Sequence, residues 1–164
     1  MAELIKVPKV IGTGSAQYLS VVDIPFNIPV FEIIDIIKKV EITDCYVVDN
    51  KVIINGELNK NIIYKTKEEE EQFDNVTRVC GDVVHCTVTI PFALFVEVPG
   101  ALEGDQCQIE DAFVEGERDV ERDFNTDGTF NTLHEKSIIR VDVKVTRTEQ
   151  ICVETSTECV VTGS

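Results

Sequence analysis

The chain has 164 residues, 43% of them hydrophobic, enough for one ordinary domain or two closely packed halves, and this excludes a wholly disordered polymer. Thirty acidic residues against 15 basic ones leave a formal net charge of −15. Such a field repels a phosphate backbone and an anionic membrane surface, so neither nucleic acid nor a membrane is an expected partner. The same charge opposes self-assembly, which then needs salt, divalent cations or covalent links to succeed.

Residues 1–19 carry Gly12-Thr13-Gly14-Ser15 and read as an N-terminal arm with one strand at Leu4–Val10. Met1–Lys9 lacks the apolar core and cleavage site of a signal peptide, so cytosolic synthesis is expected. No apolar run approaches the length of a membrane span, and no membrane insertion is expected. Val21–Phe26 reads as a strand running into Pro25. Over Val30–Val40 the residues Ile33, Ile36, Ile37 and Val40 fit helical spacing, while the β-branched content favours a strand. The spacing after Pro29 predicts a short helical turn near Phe31–Asp35, then a strand to about Val48.

Asp49-Asn50 is a two-residue hairpin signal before Lys51-Val52-Ile53-Ile54, and Gly56 suggests a bulge. Leu58–Tyr64 continues as strand, with Ile62 and Tyr64 on one face and Ile63 on the other. Glu68–Glu71 reads as a solvated loop. Val83–Phe92 is a strand with Val84, Cys86, Val88 and Ile90 on one face, ended or bent by Pro91. Pro99-Gly100 marks a turn, Cys107–Arg118 a strand, Asn125–Gly128 a hairpin tip, and Ser137–Thr148 a half-buried strand. Residues 149–164 read as a C-terminal tail. The predicted fold is all-β: antiparallel, sandwich or barrel-like, with at most a short helix.

The chain repeats itself. Asp23-Ile24-Pro25-Phe26 matches Thr89-Ile90-Pro91-Phe92 at an offset of 66 residues. Ile42-Thr43-Asp44-Cys45-Tyr46-Val47 matches Ile109-Glu110-Asp111-Ala112-Phe113-Val114 at an offset of 67. Lys51–Ile54 and Ser137–Arg140 follow in turn. The reading is one unit used twice, over 22–64 and 88–148 of a domain at 20–148, with a longer hairpin in the second copy.

Six cysteines allow fifteen pairings, and sequence does not choose among them. Cys45 and Cys86 lie in apolar alternation and read as buried thiols. Cys80, Cys107, Cys152 and Cys159 are the cross-link candidates. Cys80 and Cys86 are too far apart on an extended run to bond each other. Asp123-Phe124-Asn125-Thr126-Asp127-Gly128 copies the first half of a calcium loop, but the twelfth position is His134 and the flanks read as strands. Hairpin-tip chemistry explains these residues better, with Asp123, Asn125 and Asp127 kept as the alternative calcium ligands. Cys80, His85 and Cys86 lack zinc-finger spacing. No nucleophile elbow, phosphate loop or dinucleotide fingerprint is present, so no enzyme and no cofactor is expected.

Pro29-x-x-x-Ile33-x-x-Ile36, Val40-x-Ile42-x-Asp44, Lys51-Val-Ile-Ile-x-Gly56-x-Leu58, Ile62-Ile-Tyr64 and Ile90-Pro-Phe92-x-x-Phe95-Val-x-Val98-Pro-Gly100 together resemble the SPOCS domain, over about residues 20–150. That domain occurs in spore coat and exosporium proteins of clostridia and related spore formers. The resemblance implies a structural role in the spore surface layers, with copies of itself or other coat proteins as partners. Some members add a LysM module. This chain reads as a minimal member without one, a building block of cross-linked arrays rather than an anchor. Its two ends and the longer second hairpin break the repeat, so assembly contacts are expected there.

Overall fold

The computed structural model describes residues 4–152, which hold eight strands and no helix. They are β1 (Leu4–Val30), β2 (Glu32–Val48), β3 (Lys51–Lys65), β4 (Glu69–Phe73), β5 (Val76–Cys80), β6 (Val83–Glu97), β7 (Gln106–Phe124) and β8 (Phe130–Cys152). All pairings are antiparallel. One sheet runs β1-β8-β7 and the other β2-β3-β6, while β4 and β5 pair only with each other.

The repeat is visible as β1-β2-β3 and β6-β7-β8, and each half gives its first strand to the other. β1 joins the β7–β8 hairpin, and β6 joins the β2–β3 hairpin. The two sheets pack face to face, with β3 and β8 as their central strands. Period-2 alternation drives this packing. In β3 the side chains of Val52, Ile54, Leu58, Ile62 and Tyr64 are buried, and in β8 those of Leu133, Ile139, Val141, Val143 and Val145. A main core joins both sheets, and a smaller one gathers Ile24, Phe26, Val30, Ile62, Tyr64, Phe130 and Leu133. Phe26 meets Tyr64 edge-on, at 5.1 Å between centroids.

The Ile-x-Asp motif is a β-bulge in both halves. The register slips between Ile42 and Asp44 and again between Ile109 and Asp111. The extra residue lets side chains three apart share a face: Ile42 with Cys45, and Ile109 with Ala112. At the second bulge the Asp111 carboxylate accepts the Ala112 N–H at 3.0 Å.

The same device corrects the expected helical turn at Phe31–Asp35. β2 begins at Glu32, and its register slips between Ile33 and Asp35. Ile34 is the extra residue and is exposed, so Ile33 and Ile36 both reach the smaller core. A bulge here imitates the three-residue spacing of a helix face.

The strand expected at Leu4–Val10 is present and runs on: residues 4–19 form the first part of β1 and pair with β8 from Leu4–Cys152 onward. Gly12 and Gly14 mark close approach rather than flexibility: a Cβ on Gly14 would lie 2.6 Å from Val96 Cγ1 and 2.7 Å from Glu97 O. Glu68–Glu71 is likewise not a plain loop, since β4 starts at Glu69, though its side chains are exposed as expected. Pro91 does not end β6, which continues to Glu97 on the edge of its sheet, where a missing N–H is tolerated. The Asp49-Asn50 turn and the Asn125–Gly128 tip stand where the sequence put them. Gly56 lies opposite the β2 bulge, and its bare Cα leaves room for the Phe92 ring.

Candidate assembly site

The two Ile-Pro units come together at the meeting of the two sheets. Val22–Pro25 of β1 and Val88–Pro91 of β6 line one open cleft of about 350 Å³. They are not equivalent in register, however. Ile90 lies opposite Leu58, whereas Ile24 lies opposite Leu133, in the part of the β7–β8 hairpin that has no counterpart in β2–β3.

On the other side, β2 and β7 are stapled by a disulfide between Cys45 and Cys107, whose Cα atoms are 6.1 Å apart. This corrects the reading of Cys45 as a free core thiol, and it places the cross-link candidate Cys107 in a bond within the chain. Cys86 is free and half-buried, packed against the smaller core as expected. It sits beside Tyr64, whose phenol is pushed up to about 12 by burial and by that thiol. Cys80 is free and exposed at the end of β5. Cys152 closes β8 opposite Leu4. Cys159 lies outside the described residues.

A charged cluster sits between the sheets, and parity alone carried its signal. Lys60 is at an inward position of β3 between Leu58 and Ile62, and Glu135 and Ser137 are at inward positions of β8. The sequence reading passed over them. The buried Lys60 ammonium donates to Glu135, to Ser137 Oγ at 2.8 Å and to Glu117 Oε1 at 3.1 Å. Lys38 pairs with the other oxygen of Glu117. Glu135 Oε1 has no hydrogen-bond partner among the described residues. Asp119 is pushed up to about 6, first by desolvation and then by the neighbouring Glu135 carboxylate. Carboxylate oxygens of Glu117, Asp119 and Glu135 lie within 4.8 Å of one another, the spacing of a metal group. Here Lys60 and Lys38 already supply the cations.

Two of the three calcium candidates, Asn125 and Asp127, make hydrogen bonds within the turn. Asp127 Oδ1 accepts the Thr129 N–H at 3.0 Å, and Asn125 exchanges hydrogen bonds with Asn131 and reaches Thr129. Asp123 has φ of 59°, a turn conformation. Lys67 Nζ reaches the Asp127 carbonyl at 2.9 Å, which places the β7–β8 tip beside the base of the β4–β5 hairpin.

The sandwich therefore has two unlike ends. At one, β4 and β5 project as a two-stranded hairpin tipped by exposed Phe73 and Val76. At the other, β7 pairing begins at Gln106–Thr146, so β1 and β8 run on as a two-stranded ribbon to Leu4 and Cys152. Asp105 braces the base of that ribbon. It holds Arg147 through two bonds of 2.8 and 2.9 Å and is lowered below the usual carboxylate range by that guanidinium.

A family model described as "SipL, SPOCS domain" matches residues 29–116, just over half of the chain. The chain belongs to the SPOCS domain family. The match spans β2 through the first part of β7. It leaves all but the last two residues of β1, the extended part of the β7–β8 hairpin and β8 outside, and these hold the ribbon, Glu135 and Ser137. Comparisons with curated proteins and with solved structures gave no match. SPOCS membership ties the chain to sporulation, and the domain is not an enzyme family. Among the described residues no helix is long and apolar enough to cross a membrane.

Proposed function

We propose that this SPOCS chain is a structural building block of a spore outer layer, joining copies of itself through strand edges and then through disulfides. The observation that carries the reading is the pair of two-stranded projections at opposite ends of the sandwich, whose outer edges have no neighbouring strand among the described residues. Family membership supplies the spore context. The exposed thiol of Cys80 offers a cross-link. Thiols stay reduced in the mother cell, then lose two protons and two electrons per bond to dioxygen after lysis. Cys80, Cys152 and Cys159 are the candidates that remain once Cys107 is paired within the chain.

Negative-stain images of the purified protein, with and without reductant, test this. The reading predicts ordered particles and a ladder of oligomers on non-reducing gels. A monomer at high protein concentration with no ladder contradicts it.

A second reading is a non-enzymatic adaptor for another spore coat protein. The apolar cleft between Val22–Pro25 and Val88–Pro91 favours it, because two edge strands there border an unfilled groove. It predicts a monomer or dimer that co-purifies with one coat protein.

A further inference from the structure

The −15 net charge makes association of identical chains costly, yet the two projections differ in sign. The ribbon, residues 4–9 with 147–152, carries Lys6, Lys9 and Arg147 against Glu149. Arg147 is also paired to Asp105 at its base and Lys9 lies 3.9 Å from Glu149, so the ribbon's net positive charge among the described residues rests on Lys6. The β4–β5 hairpin carries Glu69, Glu70, Glu71 and Asp74 against Arg78 alone. Both projections are two-stranded, a state only marginally stable in water by itself. Among the described residues, neither projection has a neighbouring strand along its outer edges, which leaves backbone donors and acceptors there to pair with another chain. Their lengths are similar, five residues in each hairpin strand against six in each ribbon strand, Leu4–Lys9 and Arg147–Cys152. Leu4 is exposed on the ribbon and Val10 at its base, Phe73 and Val76 on the hairpin tip.

From this we infer that the acidic β4–β5 hairpin of one copy docks on the basic β1–β8 ribbon of the next. The inference rests on the self-assembly reading and specifies its geometry. The added strand extends the ribbon's ladder, the apolar tip covers exposed aliphatic side chains, and opposite charges set the orientation. Because the contact joins unlike surfaces, it does not close on itself like a two-fold dimer. It repeats, head to tail, into rows or filaments. The polarity also answers the charge problem, since each junction brings a locally basic surface to a locally acidic one within a Debye length.

A charge-swap series tests the junction. The first variant carries Lys6→Glu and Lys9→Glu, and the second Glu69→Lys and Glu70→Lys. All four positions are exposed, and the thermal midpoint of each variant checks that the fold is kept. Light scattering in reductant reads assembly. Each variant alone needs at least tenfold more protein to assemble than the unaltered chain. An equimolar mixture assembles again, as does one chain carrying all four changes. Two results overturn the head-to-tail contact while leaving self-assembly standing: each variant alone assembles like the unaltered chain, or the mixture fails to restore what each lost. If the unaltered chain never assembles, both this contact and the self-assembly reading fail.

Discussion

The two halves of the sandwich share a plan and differ in how they close it. In β2–β3 the facing pair four positions out from the Ile42–Gly56 pair is Lys38 and Lys60, and the positions four out from the matching Ile109–Val143 pair hold Asp105, just before β7, and Arg147. The second pair is self-sufficient, a bidentate ion pair. The first is two like charges side by side, and it is satisfied only because the longer β7–β8 hairpin brings Glu117 and Glu135 across the sandwich. The disulfide differs in the same manner. Cys45 and Cys107 join β2 to β7, and the positions that the repeat maps onto them are Ala112 and Val40, both half-buried against the main core. The duplicated plan makes the apolar core, and the departures from it place the charges and the covalent staple.

Breaking the charged cluster gives the largest expected loss. Lys60→Met leaves Glu135 buried without its cation and costs about 3–5 kcal/mol in urea unfolding. Adding Glu135→Leu recovers most of that, because the pair itself contributes little net stability once both charges are gone. A loss that persists in the double variant contradicts this account of the cluster.

Removing the staple comes next. The bridge spans 62 residues, and loop closure of that size is worth about 4 kcal/mol in the chain-entropy model. Cys45→Ser, compared with the parent under oxidising conditions, lowers the unfolding midpoint accordingly. In reductant the two proteins come close together. A difference that survives reduction assigns the loss to packing instead.

A smaller effect tests the close approach of β1 to β6. Gly14→Val forces side-chain atoms into Val96 and the Glu97 carbonyl and costs about 1–3 kcal/mol. A flexible segment at Gly12–Ser15 would show no loss at all, so thermal denaturation separates the two pictures.

The smallest effect is a pH dependence. Asp119 titrates near 6 in the fold, above its usual value of 3.8. The folded state therefore holds more protons than the unfolded one between about pH 4 and 6, and stability from this group falls as pH rises through that window. Asp119→Asn raises the thermal midpoint slightly at pH 7–8, leaves it unchanged near pH 4, and flattens the profile between. Much of Asp119 is exposed, so the shift is small. Asp105 acts with the opposite sign. Its lowered carboxyl contributes stability above its usual value, and that contribution is lost as pH falls below about 4.

Alternation made the all-β class and most strands legible, and the repeat made the duplication legible. Strand exchange between the halves was not, because nothing local distinguishes β1 pairing with β8 from β1 pairing with its own neighbours. Ile33 and Ile36 misled because a bulge and a helix turn both put residues three apart on one face. Gly12 and Gly14 misled because close packing and flexibility select the same residue. The disulfide was closed to pattern reading, since only the third dimension brings β2 beside β7. Lys60 was readable in principle: a charged residue at the inward parity of an apolar strand announces a buried partner.

The central claim is that the two halves are copies related by exchanged first strands. It is tested most directly by Val40→Cys with Ala112→Cys, followed by non-reducing digestion and mass mapping. The account predicts a second bridge, 40 to 112, beside the native 45 to 107, and a raised unfolding midpoint. Free thiols at 40 and 112, or scrambled pairing that displaces the native bridge, would contradict the equivalence of the halves.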